Sequence, residues 1–271
     1  MSDHIAFIGG GNMACAIIGG LIRQGFAASH IDVIEPFAEA QKNLESAYGI
    51  NAQSQPGAFL STADLVIWAV KPQTFKDAAM QVQAHTKNAL HLSVAAGIRS
   101  DSIARWLGTD RVVRAMPNTP ALIGKGMTAL FARSAATSDD KQRISQVVAS
   151  TGEFLWLTDE DQLDAVTALS GSGPAYMFYF MEAMIEAGSE MGLTRDQARQ
   201  LAIATFLGAG ELARSAGEAP EILRQRVTSK GGTTHAAISS LDDDEVKPLF
   251  IRAMHAARRR AKELGDEFGS T

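Results

Sequence analysis

The fold is decided by the stretch Ile5-Ala6-Phe7-Ile8-Gly9-Gly10-Gly11-Asn12-Met13-Ala14 near the first residue of the chain. Four apolar residues lead into a Gly-x-Gly-x-x-Ala turn, and a helical pattern follows. In such a turn the first glycine permits the bend, the second admits a pyrophosphate, and the third small residue lets the helix pack on the sheet. The stretch predicts dinucleotide binding by Gly9, Gly11, Asn12 and Met13; the alternative is a purely structural glycine turn.

Short apolar runs and helical patterns alternate through the first part of the chain. This alternation predicts an α/β fold with a doubly wound, Rossmann-type parallel sheet that is covered on both faces. Two later runs extend the same sheet in this prediction, and Ser138 caps a helix between them. The predicted strands are Ile5–Ile8, Ile31–Ile34, Leu65–Ala69, Leu90–Val94, Val112–Ala115, Met127–Ala132 and Phe154–Leu157, and the predicted helices between them include Ala14–Gln24, Ala38–Tyr48, Thr74–Ala84 and Ser100–Leu107.

Strand patterns stop after about residue 160, so we predict a dinucleotide-binding domain over 1–160 and an all-α domain over 161–271. The predicted helix Ala175–Met191 has only a narrow acidic stripe and is otherwise mostly apolar, which requires burial on most sides. The remaining helices can hardly supply that burial, and we therefore expect at least a homodimer. Thr194 and Gln197 have the spacing of a capping box for the next helix.

The composition excludes several classes of protein. Of the 271 residues, 46% are hydrophobic and 20% are charged, which argues against a disordered, collagen-like or coiled-coil chain. The net charge of −5 disfavours a nucleic-acid partner. The single cysteine, Cys15, excludes an intrachain disulfide, and the six histidines lack metal-ligand spacing. With neither a leader nor a membrane-spanning stretch recognisable, we expect a cytoplasmic protein without a metal or a membrane partner.

Glu35 stands at the end of the second predicted strand, 21 residues after Ala14. In this fold an acid at that place binds the ribose hydroxyls of NAD and repels the extra phosphate of NADP. Either NADH or NADPH is expected as cofactor, and Glu35 favours NADH. The alternative is a solvated loop acid.

Polar or glycine-containing turns end three neighbouring strands of the predicted sheet. Ligands bind in open α/β folds at this carboxyl edge. Any one of the turns could be an ordinary end of a strand, but together they predict one cofactor crevice. The residues assigned to it are Ala69, Val70, Lys71 and Pro72, then Ala96 and Gly97, then Pro117 and Asn118.

The segment Thr228–Thr234 has two adjacent glycines that allow successive N–H groups to converge into an anion-binding nest. Hydroxyl groups and a helix from about His235 would assist, and a carboxylate is the expected anion; the alternative is a simple helix cap. The residues assigned to substrate binding are Ser229, Gly231, Gly232, Thr233 and Thr234. By contrast, Ser170-Gly171-Ser172-Gly173-Pro174 is typical of a helix start.

Five of these segments together resemble the pyrroline-5-carboxylate reductase family of proline biosynthesis, in family order and over nearly the whole chain. The resemblance implies an oxidoreductase with a helical dimerisation domain, interleaved dimers and assembly into decamers. The family usually has other residues where Glu35, Gln225, Arg226 and Lys230 stand, which bears on cofactor preference and substrate range. The matching segments are Phe7–Ala14, Ala69–Gln73, Arg114–Pro120, Ser170–Tyr176 and Thr228–Thr234.

The implied reaction is hydride transfer from NAD(P)H to the imine carbon of the pyrroline ring. The nest would hold the substrate carboxylate, and Thr234 would hydrogen-bond the ring nitrogen as the one catalytic candidate. An iminium formed beforehand needs no general acid, and the sequence offers no convincing one. Two alternatives stay open at this point: a related two-domain imine or keto-acid reductase, and a non-catalytic dinucleotide-sensing module.

Overall fold

The computed structural model describes residues 4–269, and the contacts among them group the chain into two compact units. The first unit contains residues 4–172 together with 257–269, and the second contains residues 173–256. The division into domains 1–160 and 161–271 stays a prediction.

The first unit is built on a seven-stranded sheet with the order β2-β1-β3-β4-β5-β6-β7. The first five strands are parallel, as the α/β pattern predicted. The strands are β1 Ile5–Ile8, β2 Ile31–Ile34, β3 Leu65–Trp68, β4 Leu90–Ser93, β5 Val112–Met116, β6 Gly126–Ala132 and β7 Gly152–Trp156. The helices are α1 Asn12–Arg23, α2 Ala38–Tyr48, α3 Pro72–Val82, α4 Ser100–Leu107, α5 Ser138–Ala149 and α6 Gln162–Val166.

The last two strands extend the sheet, as their apolar runs suggested, but they run antiparallel to the other five, a direction that the sequence pattern did not predict. Strand β6 pairs antiparallel with β5, and β7 pairs parallel with β6. The physical reason is the short connection of residues 117–125, because a parallel crossover needs about a dozen residues or more and usually a helix. That connection holds only a short 3₁₀ turn, Thr119–Ile123.

Hydrophobic side chains cover both faces of the sheet, because successive strand residues point to opposite sides. Ile5 and Phe7 lie in one core cluster with residues of α1 and α5. Ala6 and Ile8 lie in a second cluster with residues of α3 and α4. The doubly wound architecture is therefore confirmed.

The second unit is helical, and many of its large apolar side chains are exposed. They include Phe178, Tyr179, Leu201 and Leu207, which are 57%, 70%, 56% and 69% exposed. The predicted capping box of Thr194 and Gln197 is present. The helices are α7 Gly173–Glu190, α8 Arg195–Ala216, α9 Pro220–Arg226, α10 Thr233–Asp243 and α11 Val246–Gly269, the last of which continues into the first unit from residue 257.

Two local predictions were wrong. Thr137, not Ser138, caps α5, because its hydroxyl accepts the N–H of Asp140 while the Asp140 carboxylate accepts the N–H of Thr137. Helix α3 begins at Pro72 and not at the predicted Thr74. Proline is favourable at a first helical position, because the N–H that it lacks would have no partner inside the helix. Within residues 4–269, none of the helices has the length and apolarity needed to cross a membrane.

Candidate active site

The glycine turn after β1 has the geometry that its sequence predicted. Gly9 has φ +97°, and a Cβ there would lie 2.7 Å from the Ala69 carbonyl oxygen, so only glycine fits. Gly11 is the N-cap of α1, without a side-chain cap, and a Cβ built on it meets nothing within 4 Å. The first N–H groups of a helix have no partner inside it. The open space over Gly11 and the uncapped start of α1 therefore fit a pyrophosphate group.

The start of α1 differs slightly from the prediction. The helix begins at Asn12 and not at Ala14, so Asn12 and Met13 are its first two residues. Both contribute unpaired N–H groups to the place where a phosphate would bind.

Glu35 is 6% exposed and therefore is not a solvated loop acid. One carboxylate oxygen accepts the N–H of Gly10 at 2.8 Å, and the other accepts the N–H of Phe37 at 3.0 Å. These bonds fix the carboxylate beside the glycine turn at the end of β2. A carboxylate has about four acceptor positions, so lone pairs remain after both bonds form.

The turns after β3 and β4 lie at the carboxyl edge, as expected. Ala69 and Val70 follow the end of β3, Lys71 is the N-cap of α3, and its side chain makes no capping bond. Gly97 has φ +78°, and a Cβ there would lie 3.2 Å from Cβ of Leu264. No sequence pattern predicts that last contact, because Leu264 lies far along the chain in α11.

The turn after β5 is held by the side chain of Asn118. Its Oδ1 accepts the N–H of Met127 at 2.9 Å, and its Nδ2 donates to Oγ of Ser170 at 3.1 Å. Ser170 lies in a π-helical turn, Thr167–Gly171, immediately before α7. The serine-glycine motif is thus more than the simple helix start that its sequence suggested, and π-helical turns are frequent at functional sites.

A buried ion pair supports the same region, and the sequence did not single it out. Nη1 of Arg114 lies 2.5 Å from Oε1 of Glu160, and the two side chains are 8% and 12% exposed. Glu160 also accepts the N–H and the hydroxyl of Ser100, each at 2.6 Å. Burial by itself would raise the pKa of Glu160, but Arg114 and the Ser100 bonds outweigh burial and hold that pKa below its usual value. The carboxylate therefore stays charged at neutral pH.

The segment Thr228–Thr234 forms a turn that leads into α10. Gly231 has φ +78°, and the N–H of Gly232 donates to the Ser229 carbonyl at 3.0 Å. Helix α10 begins at Thr233, two residues before the predicted His235, with Gly232 as its N-cap and no side-chain cap. Thr233 and Thr234 are therefore the first two helical residues, and their N–H groups have no partner inside the helix.

Two further features limit the chemistry of the chain. The Cys15 thiol donates to the Gly10 carbonyl at 3.5 Å, and burial together with the nearby charge of Glu35 raises its pKa, so the thiol is not activated as a nucleophile. Among residues 4–269, His, Cys, Asp and Glu side chains form no group of three or more that could hold a metal ion.

Comparison with known proteins gives consistent matches along the chain. A family model described as pyrroline-5-carboxylate reductase dimerisation matches residues 160–264, and one described as NADP oxidoreductase coenzyme F420-dependent matches residues 4–97. The pyrroline-5-carboxylate reductase of Pseudomonas aeruginosa is 42% identical over 270 residues, with 99% of each chain covered. The chain belongs to the pyrroline-5-carboxylate reductase family. The family predicted from the motifs is thereby confirmed.

Solved structures of pyrroline-5-carboxylate reductases have the same fold. The Coxiella burnetii structure is 38% identical with a TM-score of 0.91, and the alignment covers 97% of this chain and 99% of that one. The pyrroline carboxylate reductase of Plasmodium falciparum, solved with NADP bound, is 25% identical with a TM-score of 0.87 over 97% and 98% of the two chains.

Proposed function

We propose that the chain reduces 1-pyrroline-5-carboxylate to L-proline, with hydride from NAD(P)H adding to the imine carbon of the ring. The observation that carries this proposal is the full-length match to a reductase family, in a chain whose glycine turn leads into an uncapped helix. The same match argues against a non-catalytic sensing module and against a keto-acid reductase.

The dinucleotide, when bound, supplies the hydride, and the residues of the first unit hold it. We assign the pyrophosphate to Gly9, Gly11, Asn12 and Met13, because the turn is open there and the helix start is uncapped. The rest of the cofactor site is assigned to the carboxyl edge, where parallel strands of such sheets bind ligands. These residues are Glu35, Ala69, Val70, Lys71, Pro72, Ala96, Gly97, Pro117 and Asn118.

Glu35 supports a preference for NADH within this site. Its carboxylate is fixed at the end of β2, where its free lone pairs can accept bonds from ribose hydroxyls. A 2′-phosphate at that place would meet the same negative charge, and Glu39 adds a second acid in the first turn of α2.

The substrate carboxylate is assigned to the turn before α10, in the proposed domain 161–271. Ser229, Gly231, Gly232 and Thr233 shape that turn, and the unpaired N–H groups of the helix start attract an anion. Thr234 is assigned a hydrogen bond to the ring nitrogen. Once the ring nitrogen is protonated the ring is an iminium, so alignment of the two reactants supplies much of the rate without a general acid.

We also propose that the functional protein is at least a homodimer formed through residues 161–271. The exposed apolar side chains of α7 and α8 support this proposal, as does the match to a dimerisation model. Assembly into decamers is implied only by the family resemblance.

Proline formation from 1-pyrroline-5-carboxylate tests the substrate assignment in a Thr234→Ala variant. We expect kcat/KM to fall by on the order of a hundredfold, because both alignment and a bond to the ring nitrogen are lost, while the affinity for NADH stays unchanged. Thr228→Ala is the matched control, since the Thr228 hydroxyl bonds back to the Arg224 carbonyl in α9. Turnover by Thr234→Ala equal to that of Thr228→Ala would exclude Thr234 from the site.

A further inference from the structure

Strand β5 and the turn after it hold the segment of residues 160–171 through alternate residues. Arg114 pairs with Glu160, Met116 packs against Gly171, and Asn118 bonds Ser170. Residues two apart in an extended chain point to the same side, and Asn118 still has an extended backbone at φ −130° and ψ 166°. The segment therefore lies along one side of β5 and its following turn, and its π-helical end lies beyond the carboxyl end of that strand.

The contacts of Asn118 determine the orientation of its amide. Because Oδ1 accepts a backbone N–H from Met127, the other side-chain atom must be the nitrogen that donates to Ser170. The Ser170 oxygen therefore acts as an acceptor toward Asn118. Its own proton must point to a different acceptor, because the Asn118 amide offers Ser170 only a donor.

We infer that the Ser170 hydroxyl donates this proton to the carboxamide oxygen of the nicotinamide ring, and that Asn118 is the residue that positions it. The sheet order supports this assignment. The glycine turn of β1 lies between β2, which is followed by Glu35, and the strands β3, β4 and β5. With the pyrophosphate at β1 and the adenosine toward β2, the nicotinamide half extends toward the ends of β3 to β5. The inference thus rests on the proposed cofactor site.

Four variants separate this role from a merely structural one. Ser170→Ala removes the donor. Asn118→Asp keeps an oxygen for the Met127 N–H but replaces the amide donor with an acceptor, so the Ser170 proton turns toward residue 118. The double variant Ser170→Ala/Asn118→Asp should lose no more affinity for NADH than either single variant, because each change removes the same bond to the cofactor. Ser172→Ala is the matched control, since Ser172 belongs to the same motif but is not the serine that Asn118 bonds.

Equilibrium binding to the full-length protein, without substrate, gives the decisive measurement. We expect Ser170→Ala and Asn118→Asp to lower the affinity for NADH by about tenfold, which is the usual effect of losing one buried hydrogen bond. ADP-ribose, which lacks the nicotinamide ring, should bind all four variants like the wild type. Reduced thionicotinamide adenine dinucleotide has sulfur in place of the carboxamide oxygen, and sulfur is a weak acceptor. The variants and the wild type should therefore bind this analogue with nearly equal affinity. Ser170→Thr keeps the hydroxyl and should retain the affinity for NADH. This variant tests the inference if Ser170→Ala does not fold.

Two results would overturn the inference. One is an equal loss of affinity for NADH and for the thio analogue. The other is a loss of affinity for ADP-ribose in Ser170→Ala or Asn118→Asp. Gly11→Glu tests the cofactor site independently, because it places a charge at the turn, at a position where an added Cβ meets nothing within 4 Å. If Gly11→Glu leaves ADP-ribose affinity unchanged, the proposed site itself is wrong; if only the Ser170 result fails, the site stands without this bond.

Discussion

At the scale of single residues, the Glu35 carboxylate joins the glycine turn of β1 to the turn that begins α2. Its two oxygens bind the N–H groups of Gly10 and Phe37, so the acid has a structural role in addition to any contact with a cofactor. The sequence could place an acid at the end of β2 but could not show these bonds, because they depend on how two turns approach each other. We therefore predict that this one residue affects both stability and cofactor preference.

Two substitutions of Glu35 separate these effects. Glu35→Gln keeps most of the shape and removes the charge, so the ratio of kcat/KM for NADPH to that for NADH should rise by on the order of tenfold. Glu35→Ala should also lower the free energy of unfolding by about 1–3 kcal/mol, because two backbone N–H groups lose their partner. Steady-state kinetics with both cofactors and urea unfolding measure the two effects. An unchanged cofactor ratio in Glu35→Gln would exclude the charge as the source of preference.

His91 makes the stability of the first unit sensitive to acid. The side chain is buried in β4, its Nδ1 accepts the Trp68 indole N–H at 3.1 Å, and Nε2 therefore carries the proton of the neutral ring. Burial lowers the pKa of His91 to about 4. Since the unfolded chain has the higher pKa, it takes up the proton first, and the folded state loses stability as pH falls from about 6.5 toward 4.

We expect this one group to remove about 2 kcal/mol of stability between pH 7 and pH 5. The variant His91→Gln keeps an acceptor for the Trp68 N–H but cannot be protonated in this range. Urea unfolding at pH 7 and pH 5 should therefore show a smaller decrease in the free energy of unfolding for the variant than for the wild type. Equal losses in the two proteins would mean that other groups account for the acid sensitivity.

At the scale of elements, the alternate residues of β5 and its following turn explain why the segment of residues 160–171 has a fixed place. The sequence predicted β5 and most other strands and helices of the first unit nearly to the residue, because their apolar periods are strong and their ends carry glycine or proline. It missed the reversal of β6, the capping of α5 by Thr137 and the role of Ser170. The contact of Ser170 with Asn118 joins segments 52 residues apart, which a local pattern does not contain. The cap of α5 and the reversal of β6 are local, but adjacent hydroxyl residues compete for the cap position and apolar runs carry no strand direction.

The ion pair of Arg114 and Glu160 should contribute strongly to this placement. Glu160→Ala leaves a buried guanidinium without its partner and should lower the free energy of unfolding by about 3–5 kcal/mol. Asp161→Ala is a suitable control, because Asp161 pairs with Arg99 at an exposed position, with side-chain exposures of 68% and 39%. Chemical unfolding of both variants measures the difference. A loss below about 1 kcal/mol for Glu160→Ala would contradict the structural role of the pair.

At the scale of the whole molecule, the two units differ in how much apolar surface they cover themselves. The sheet unit buries large side chains in a core on each face of its sheet, whereas many apolar side chains of α7 and α8 remain exposed. The sequence already indicated this difference through the mostly apolar pattern of residues 175–191. Neither the sequence nor a single chain contains the oligomer number, because that number depends on the surface of a second copy.

A charge placed on α8 should prevent association. Leu207→Lys puts a cation on an exposed apolar position of that helix, and we expect sedimentation velocity to show monomers where the wild type forms dimers or larger assemblies. Met80→Lys is the control, since Met80 is 56% exposed on α3 of the sheet unit. If Leu207→Lys forms the same oligomer as the wild type, the interface lies elsewhere on the chain.

The bond between Asn118 and Ser170 has a consequence for how the gene can change. The two residues are 52 positions apart in the chain, yet the Asn118 amide, oriented by the Met127 N–H, allows Ser170 only the acceptor role toward it. A mutation that replaces the Asn118 amide with an acceptor redirects the Ser170 proton toward residue 118, and a mutation that removes the Ser170 hydroxyl leaves the Asn118 amide without this acceptor. In diverging lineages the two codons should therefore be inherited as a pair, with few single replacements surviving at either one.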